Sequence, residues 1–76
     1  MNKREVCLLD AIKIGNRIKE LREKLNFSRE EFSNEVGISL SALSMYENGQ
    51  RIPRDEIKLK IARVTGQSIE AIFFAF

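Results

Sequence analysis

The sequence predicts an all-α fold, a compact domain of five short helices, on three observations. Apolar residues recur at i, i+3 and i+4 along most of the 76 residues, the spacing of a stripe buried on one side of a helix. Ser28, Ser39 and Ser68 stand where these patterns begin, and a serine cap accepts a hydrogen bond from the free backbone N–H groups of a helix start. Gly37, Gly49 and Gly66 stand where the patterns end, and glycine readily takes the left-handed turn that closes a helix. No repeat, linker or low-complexity segment interrupts the series.

Residues 1–11 read as an N-terminal extension or arm, and residues 12–76 as the domain proper. Val6, Leu8, Leu9 and Ile12 could continue the first helix backwards or cover apolar surface elsewhere. From Ile14 the first helix is plain: Ile14, Ile18, Leu21 and Leu25 share a stripe, with Lys19, Glu20, Glu23 and Lys24 outside it. Glu20 and Lys24 form an i, i+4 pair in the favourable order. Asn26 is the expected left-handed stop.

The second helix opens with an S-x-x-E capping box, Ser28 with Glu31, and Phe27 and Phe32 have the spacing of a hydrophobic staple across it. The third repeats the device with Ile38, Ser39 as cap, and Leu43. Asn48 and Gly49 end that helix. Gln50-Arg51-Ile52-Pro53 is then a loop, because the residue before proline avoids helix. A fourth helix from Arg54 or Asp55 to Thr65 should bury Ile57, Ile61 and Val64, with Leu59 and Ala62 flanking. Ser68 caps the last helix, where Ile69, Ile72, Phe73 and Phe76 share a stripe and Phe74 lies off it.

Composition limits the chemistry. With 43% hydrophobic and 32% charged residues the chain is a globular domain rather than a disordered tail. A core this small is marginal, and an oligomer would help it. A net charge of +2 permits nucleic acid without demanding it. No apolar run reaches the ~20 residues of a membrane span, and the apolar stretch near the start is too short for a secretory signal, so a cytoplasmic protein with no membrane partner is expected. Cys7 is the sole cysteine, read as a small half-buried hydrophobe, and histidine is absent. A zinc site is therefore not expected, and the usual Ser-His or Cys-His nucleophiles cannot be built. Glu30/Glu31 and Asp55/Glu56 sit at helix starts, where they complement the helix dipole. The expectation is no enzyme, no metal and no cofactor.

Residues 29–48 carry the functional signal. At about 100° per residue, Leu40, Ser41, Ser44, Met45 and Asn48 fall within an arc of roughly 140°, and Ala42, Leu43 and Tyr46 lie opposite. One face is core and the other is short, uncharged and free. That is the layout of a helix-turn-helix, whose second helix lies in the DNA major groove. Leu40, Ser41, Ser44 and Met45 are the candidate base contacts: the serines can bond several base edges, and Leu40 and Met45 can pack on thymine methyls. None offers a bidentate pairing, so DNA shape or bridging water should share in the discrimination. Arg29, in the first turn of the second helix, is a candidate phosphate contact together with Ser28, because a helix start presents free N–H groups to an anion.

Taken together, the stretch IKELREKLNFSREEFSNEVGIS, the YENG that follows the third helix, Pro53 after it, and GQSIEAIF near the end resemble the phage repressor and Cro-like helix-turn-helix regulators, the xenobiotic-response-element family. The resemblance runs from about Ile14 to Phe73. It implies a lambda-repressor-like DNA-binding domain with the helix-turn-helix in helices 2 and 3. Phe32, Val36, Gly37, Ile38, Leu43 and Tyr46 match the family's apolar positions and turn glycine, while Ser33 replaces a common alanine. It further implies an internal ion pair between Arg22 and Glu47. It places Arg51 and Arg54 along the sugar-phosphate backbone, with Asn48 and Gln50 donating beside them. Thr65, Gln67 and Asp55 depart from the usual apolar residues, so the fourth helix is expected to pack differently against the fifth.

The expected partner is double-stranded DNA with a palindromic operator, bound by a homodimer whose half-sites lie about one helical turn apart. Ile69, Ile72, Phe73, Phe74 and Phe76 are the candidate dimer interface, because a terminal IFFAF is more aromatic surface than so small a chain readily buries; the competing reading folds residues 6–12 over it. Glu30, Glu31 and Glu35 form a solvated face of the kind some relatives offer to RNA polymerase, and a regulatory protein is another candidate partner. With no sensing domain in these residues, control is expected from abundance, dimerisation or another protein. The functional expectation is a sequence-specific transcriptional regulator, a small repressor. The alternative is a protein-interaction module on the same fold, an antitoxin-like partner with weak DNA binding.

Overall fold

The computed structural model describes the backbone of residues 3–74 and the side chains of residues 10–74. Five helices follow one another: α1 (Lys3–Lys24), α2 (Arg29–Val36), α3 (Leu40–Glu47), α4 (Asp55–Thr65) and α5 (Ile69–Phe73). The backbone is helical from Lys3, so residues 3–11 are continuous with α1. Expectations for the side chains of Val6, Cys7, Leu8 and Leu9, and for Phe76, lie outside the described residues.

The helix ends are built as the sequence chemistry requires. Ser28 Oγ accepts from the Glu31 N–H at 3.1 Å, and the Ser28 N–H donates to Glu31 Oε1 at 2.9 Å, closing the capping box. The Phe27 and Phe32 rings meet at 6.0 Å between centroids. The N–H groups of Ala42 and Ala71 donate to the hydroxyls of Ser39 and Ser68. Asn26 (φ 60°) and Gly37 (φ 84°) take the left-handed conformation that closes α1 and α2. Held first by the Ser28 N–H and then by the Ser28 hydroxyl, the Glu31 carboxyl lies below the ordinary carboxylate range.

Ile14, Ile18, Phe32, Val36, Leu43, Tyr46, Ile61, Ile72 and Phe73 form one buried cluster. Fully burying such a side chain stabilises the fold by about 1.5–3 kcal/mol, and Phe32, Ile18, Leu43, Ile61 and Ile72 reach that limit. Leu21, Ile57, Val64 and Ile69 are only half-buried at its margin. Leu25 departs from its expected place in the α1 stripe: it follows the end of the helix in the closing turn and is exposed. Leu59, expected to flank the core, is exposed as well. Thr65 is buried, and its hydroxyl is satisfied by donating to the Ile61 carbonyl at 2.8 Å. A polar side chain is thereby accommodated at the α4–α5 junction.

Among the described residues, α1 packs across α3 and α5, α2 joins α3 and α4, and α4 joins α5. Lys58 ties α4 to the chain end: its ammonium lies 5.5 Å from the Phe73 ring centroid, 5.3 Å from that of Phe74, and 3.8 Å from an Asp55 carboxylate oxygen.

Candidate nucleic-acid interface

Two contacts from α1 hold the end of α3. Gly15 lies against the end of α3 so closely that a Cβ there would stand 2.3 Å from the Tyr46 carbonyl oxygen and 2.8 Å from that of Glu47. Only a residue without a side chain allows the two backbones this approach. Seven residues on, and so on the same face of α1, Arg22 forms the expected ion pair with Glu47. Its Nε donates to Oε2 at 2.7 Å and its Nη2 to Oε1 at 3.3 Å, while Nη1 donates to the Phe27 carbonyl at 3.0 Å. Every nitrogen of that guanidinium is used. Both residues are buried, and in such a pair removal of one partner costs about 3–5 kcal/mol.

The structure adds a third member that spacing did not reveal. Arg29, one residue past the Ser28 cap, donates from Nε to Glu47 Oε1 at 3.3 Å. Its side chain is 50% exposed whereas that of Glu47 is 1% exposed. The start of α2 and the end of α3 are thereby joined through one carboxylate. Gly15 was also missed; its signal was a glycine inside a strong helical pattern, on the face that carries Arg22.

With α3 anchored through Leu43, Tyr46 and Glu47, its other side faces outward. Leu40 is 44% and Met45 37% exposed. Ser41 is exposed and Ser44 half-exposed. By helical angle Leu40 and Met45 mark the two edges of this arc, with Ser44, Asn48 and Ser41 between them. Asn48, Gln50, Arg51 and Arg54 are exposed after α3. Among the described residues Arg51 and Arg54 have no carboxylate partner. Ser28 is exposed, with its hydroxyl already accepting the Glu31 N–H in the cap.

The candidate dimer residues divide differently. Ile72 (0% exposed) and Phe73 (3%) belong to the chain's own buried core. Phe73 and Phe74 are neighbours with opposite fates, because the α5 stripe turns the first inward and leaves the second 67% exposed. Phe74 borders a cavity of about 200 Å³ with Asp55, Lys58, Leu59 and Ile69. Among the described residues no group of three or more Asp, Glu, Cys or His could hold a metal ion, and no helix is long and apolar enough to cross a membrane.

Known proteins agree with this architecture. Residues 18–72 match the helix-turn-helix family. An uncharacterised helix-turn-helix-type transcriptional regulator of Archaeoglobus fulgidus is 40% identical over 57 residues, covering 75% of this chain and 80% of the relative. The regulator YgzD of Bacillus subtilis is 29% identical over 59 residues, covering 78% and 89%. The cryptic phage CTXphi transcriptional repressor RstR of Vibrio cholerae is 33% identical over 61 residues, 80% of this chain but 54% of that protein. No solved structure matches the chain. The chain therefore belongs to the helix-turn-helix family of transcriptional regulators, of the phage repressor and Cro-like type, whose members bind DNA.

Proposed function

We propose that the protein is a sequence-specific reader of double-stranded DNA, a small homodimeric repressor that inserts α3 into the major groove of a palindromic operator. One observation carries this reading: Leu40, Ser41, Ser44 and Met45 project from a helix whose opposite side is locked into the core. Those four make the base contacts. Arg29, Arg51 and Arg54 contact phosphates, with Ser28, Asn48 and Gln50 donating neutral bonds beside them. The repressor role is supported by likeness to RstR, a phage repressor by name. Occupying a promoter requires no further chemistry. The second copy docks on Phe74, Leu59 and Ile69, the apolar surface that the described residues leave uncovered beside Lys58.

Selection of bound fragments from random DNA, followed by an electrophoretic shift at two salt concentrations, tests the proposal. The expected result is a recovered palindrome with half-site centres about 34 Å apart, bound more weakly as salt rises. A folded protein that shifts no DNA at low salt would instead favour the antitoxin-like alternative.

A further inference from the structure

The geometry points to Glu47 as a positioning residue for DNA binding: its buried carboxylate aims the Arg29 guanidinium at a backbone phosphate. This rests on the DNA-binding reading above and adds to it a device that acts through a residue unable to touch DNA itself. Glu47 is 1% exposed at its side chain, yet one of its oxygens receives both Arg22 Nη2 and Arg29 Nε at 3.3 Å. The two arginines are in opposite situations. Arg22 uses all three nitrogens within the protein. Arg29 uses only Nε, and among the described residues its two terminal nitrogens have no partner.

A guanidinium offers carboxylates and phosphates two bidentate edges. With the Nε side of Arg29 turned to Glu47, the Nη1–Nη2 edge faces away from the carboxylate, and half of the side chain is in solvent. The charges also favour an anion: two guanidinium groups and one carboxylate leave the trio at +1. Arg29 stands at the start of α2, where free backbone N–H groups add to the same field. An exposed arginine would ordinarily lose much rotamer freedom on meeting a phosphate; one already held at Nε loses less, and that difference appears as affinity. The Arg29–Glu47 contact is only partly buried, so it contributes less to folding than the buried Arg22–Glu47 pair.

The test is a double-mutant cycle read by DNA affinity and its salt dependence, with circular dichroism to confirm folding. Arg29→Gln should weaken binding by about tenfold and reduce the slope of log K against log salt by about one per subunit, about two for the dimer. In a Glu47→Gln background the same Arg29→Gln change should weaken binding by less than about twofold, because the aim is already lost. Equal weakening in both backgrounds would show that Arg29 meets the phosphate unaided, and would overturn the inference. So would an unchanged salt slope for Arg29→Gln. If Glu47→Gln fails to fold, Arg29→Lys decides: lysine keeps the charge but has neither Nε nor the fork, and should bind like Arg29→Gln. Wild-type affinity in Arg29→Lys would sink the inference while leaving DNA binding intact. Absence of DNA binding by the unaltered protein would remove both.

Discussion

Gly15 poses a contest between two effects at a single residue. In an isolated helix, replacing glycine by alanine stabilises by about 0.8–1 kcal/mol. Here the added methyl would meet the carbonyl oxygens of Tyr46 and Glu47, backbone atoms that move only if α3 moves. Overpacking of this kind costs about 1–3 kcal/mol, and contact with main chain puts it at the upper end. The clash wins, so Gly15→Ala should lower the melting temperature by about 5–15 °C. Asn16→Ala, one position along on the exposed side, should leave it nearly unchanged. A Gly15→Ala protein that melts at or above the wild type would mean that the two helices do not approach as described. Why Gly15 escaped notice is physical: close approach depends on what lies opposite, and a one-dimensional pattern carries no opposite. The same limit hid the Arg29–Glu47 bond, whereas Arg22–Glu47 was implied by family resemblance.

At the scale of helices the sequence was far more informative, because caps and stripes are local. Ser28 with Glu31, Ser39, Ser68, Asn26 and Gly37 all act over three or four residues, and each closes its helix end in the structure. Leu25 and Leu59 failed for the converse reason: periodicity marks which residues could be buried, but burial needs a neighbouring element, and none among the described residues covers them. The outward side of α3 supports a prediction about the bases it prefers. None of the four proposed base contacts, Leu40, Ser41, Ser44 and Met45, carries an amide or charge with which to pair bidentately with guanine or adenine. Leu40 and Met45, exposed at the two edges of the arc, can discriminate chiefly through the C5-methyl of thymine. Replacing thymine by uracil at the contacted positions should therefore weaken binding by about three- to fivefold per methyl, following the transfer free energy of one such group. Leu40→Ala or Met45→Ala should abolish that sensitivity at its own position. Indifference of the wild type to uracil would assign the discrimination to the serines, bridging water or DNA shape.

At the scale of the molecule, the proposal requires two copies, and Phe74 is the residue to challenge. Its ring lies beside Lys58 on the open side of α5 and is not part of the core cluster. Phe74→Lys should leave the fold in place and convert the dimer to a monomer by light scattering at micromolar concentration. The salt slope should fall in parallel. The three arginines proposed to bind phosphate would give a slope of about −3 for one copy and about −5 for a pair. A wild type that scatters as a monomer at these concentrations would remove the dimer.

The way α3 is fastened has a consequence for how such a protein can change over time. The groups that fix the helix in place, Leu43, Tyr46 and Glu47, are separate from those proposed to do the reading, Leu40, Ser41, Ser44 and Met45. Substitutions on the outer side thus meet little resistance from folding. A lineage could acquire a new target site by altering a few letters on one side of one helix, with the rest of the chain serving as an unchanged chassis.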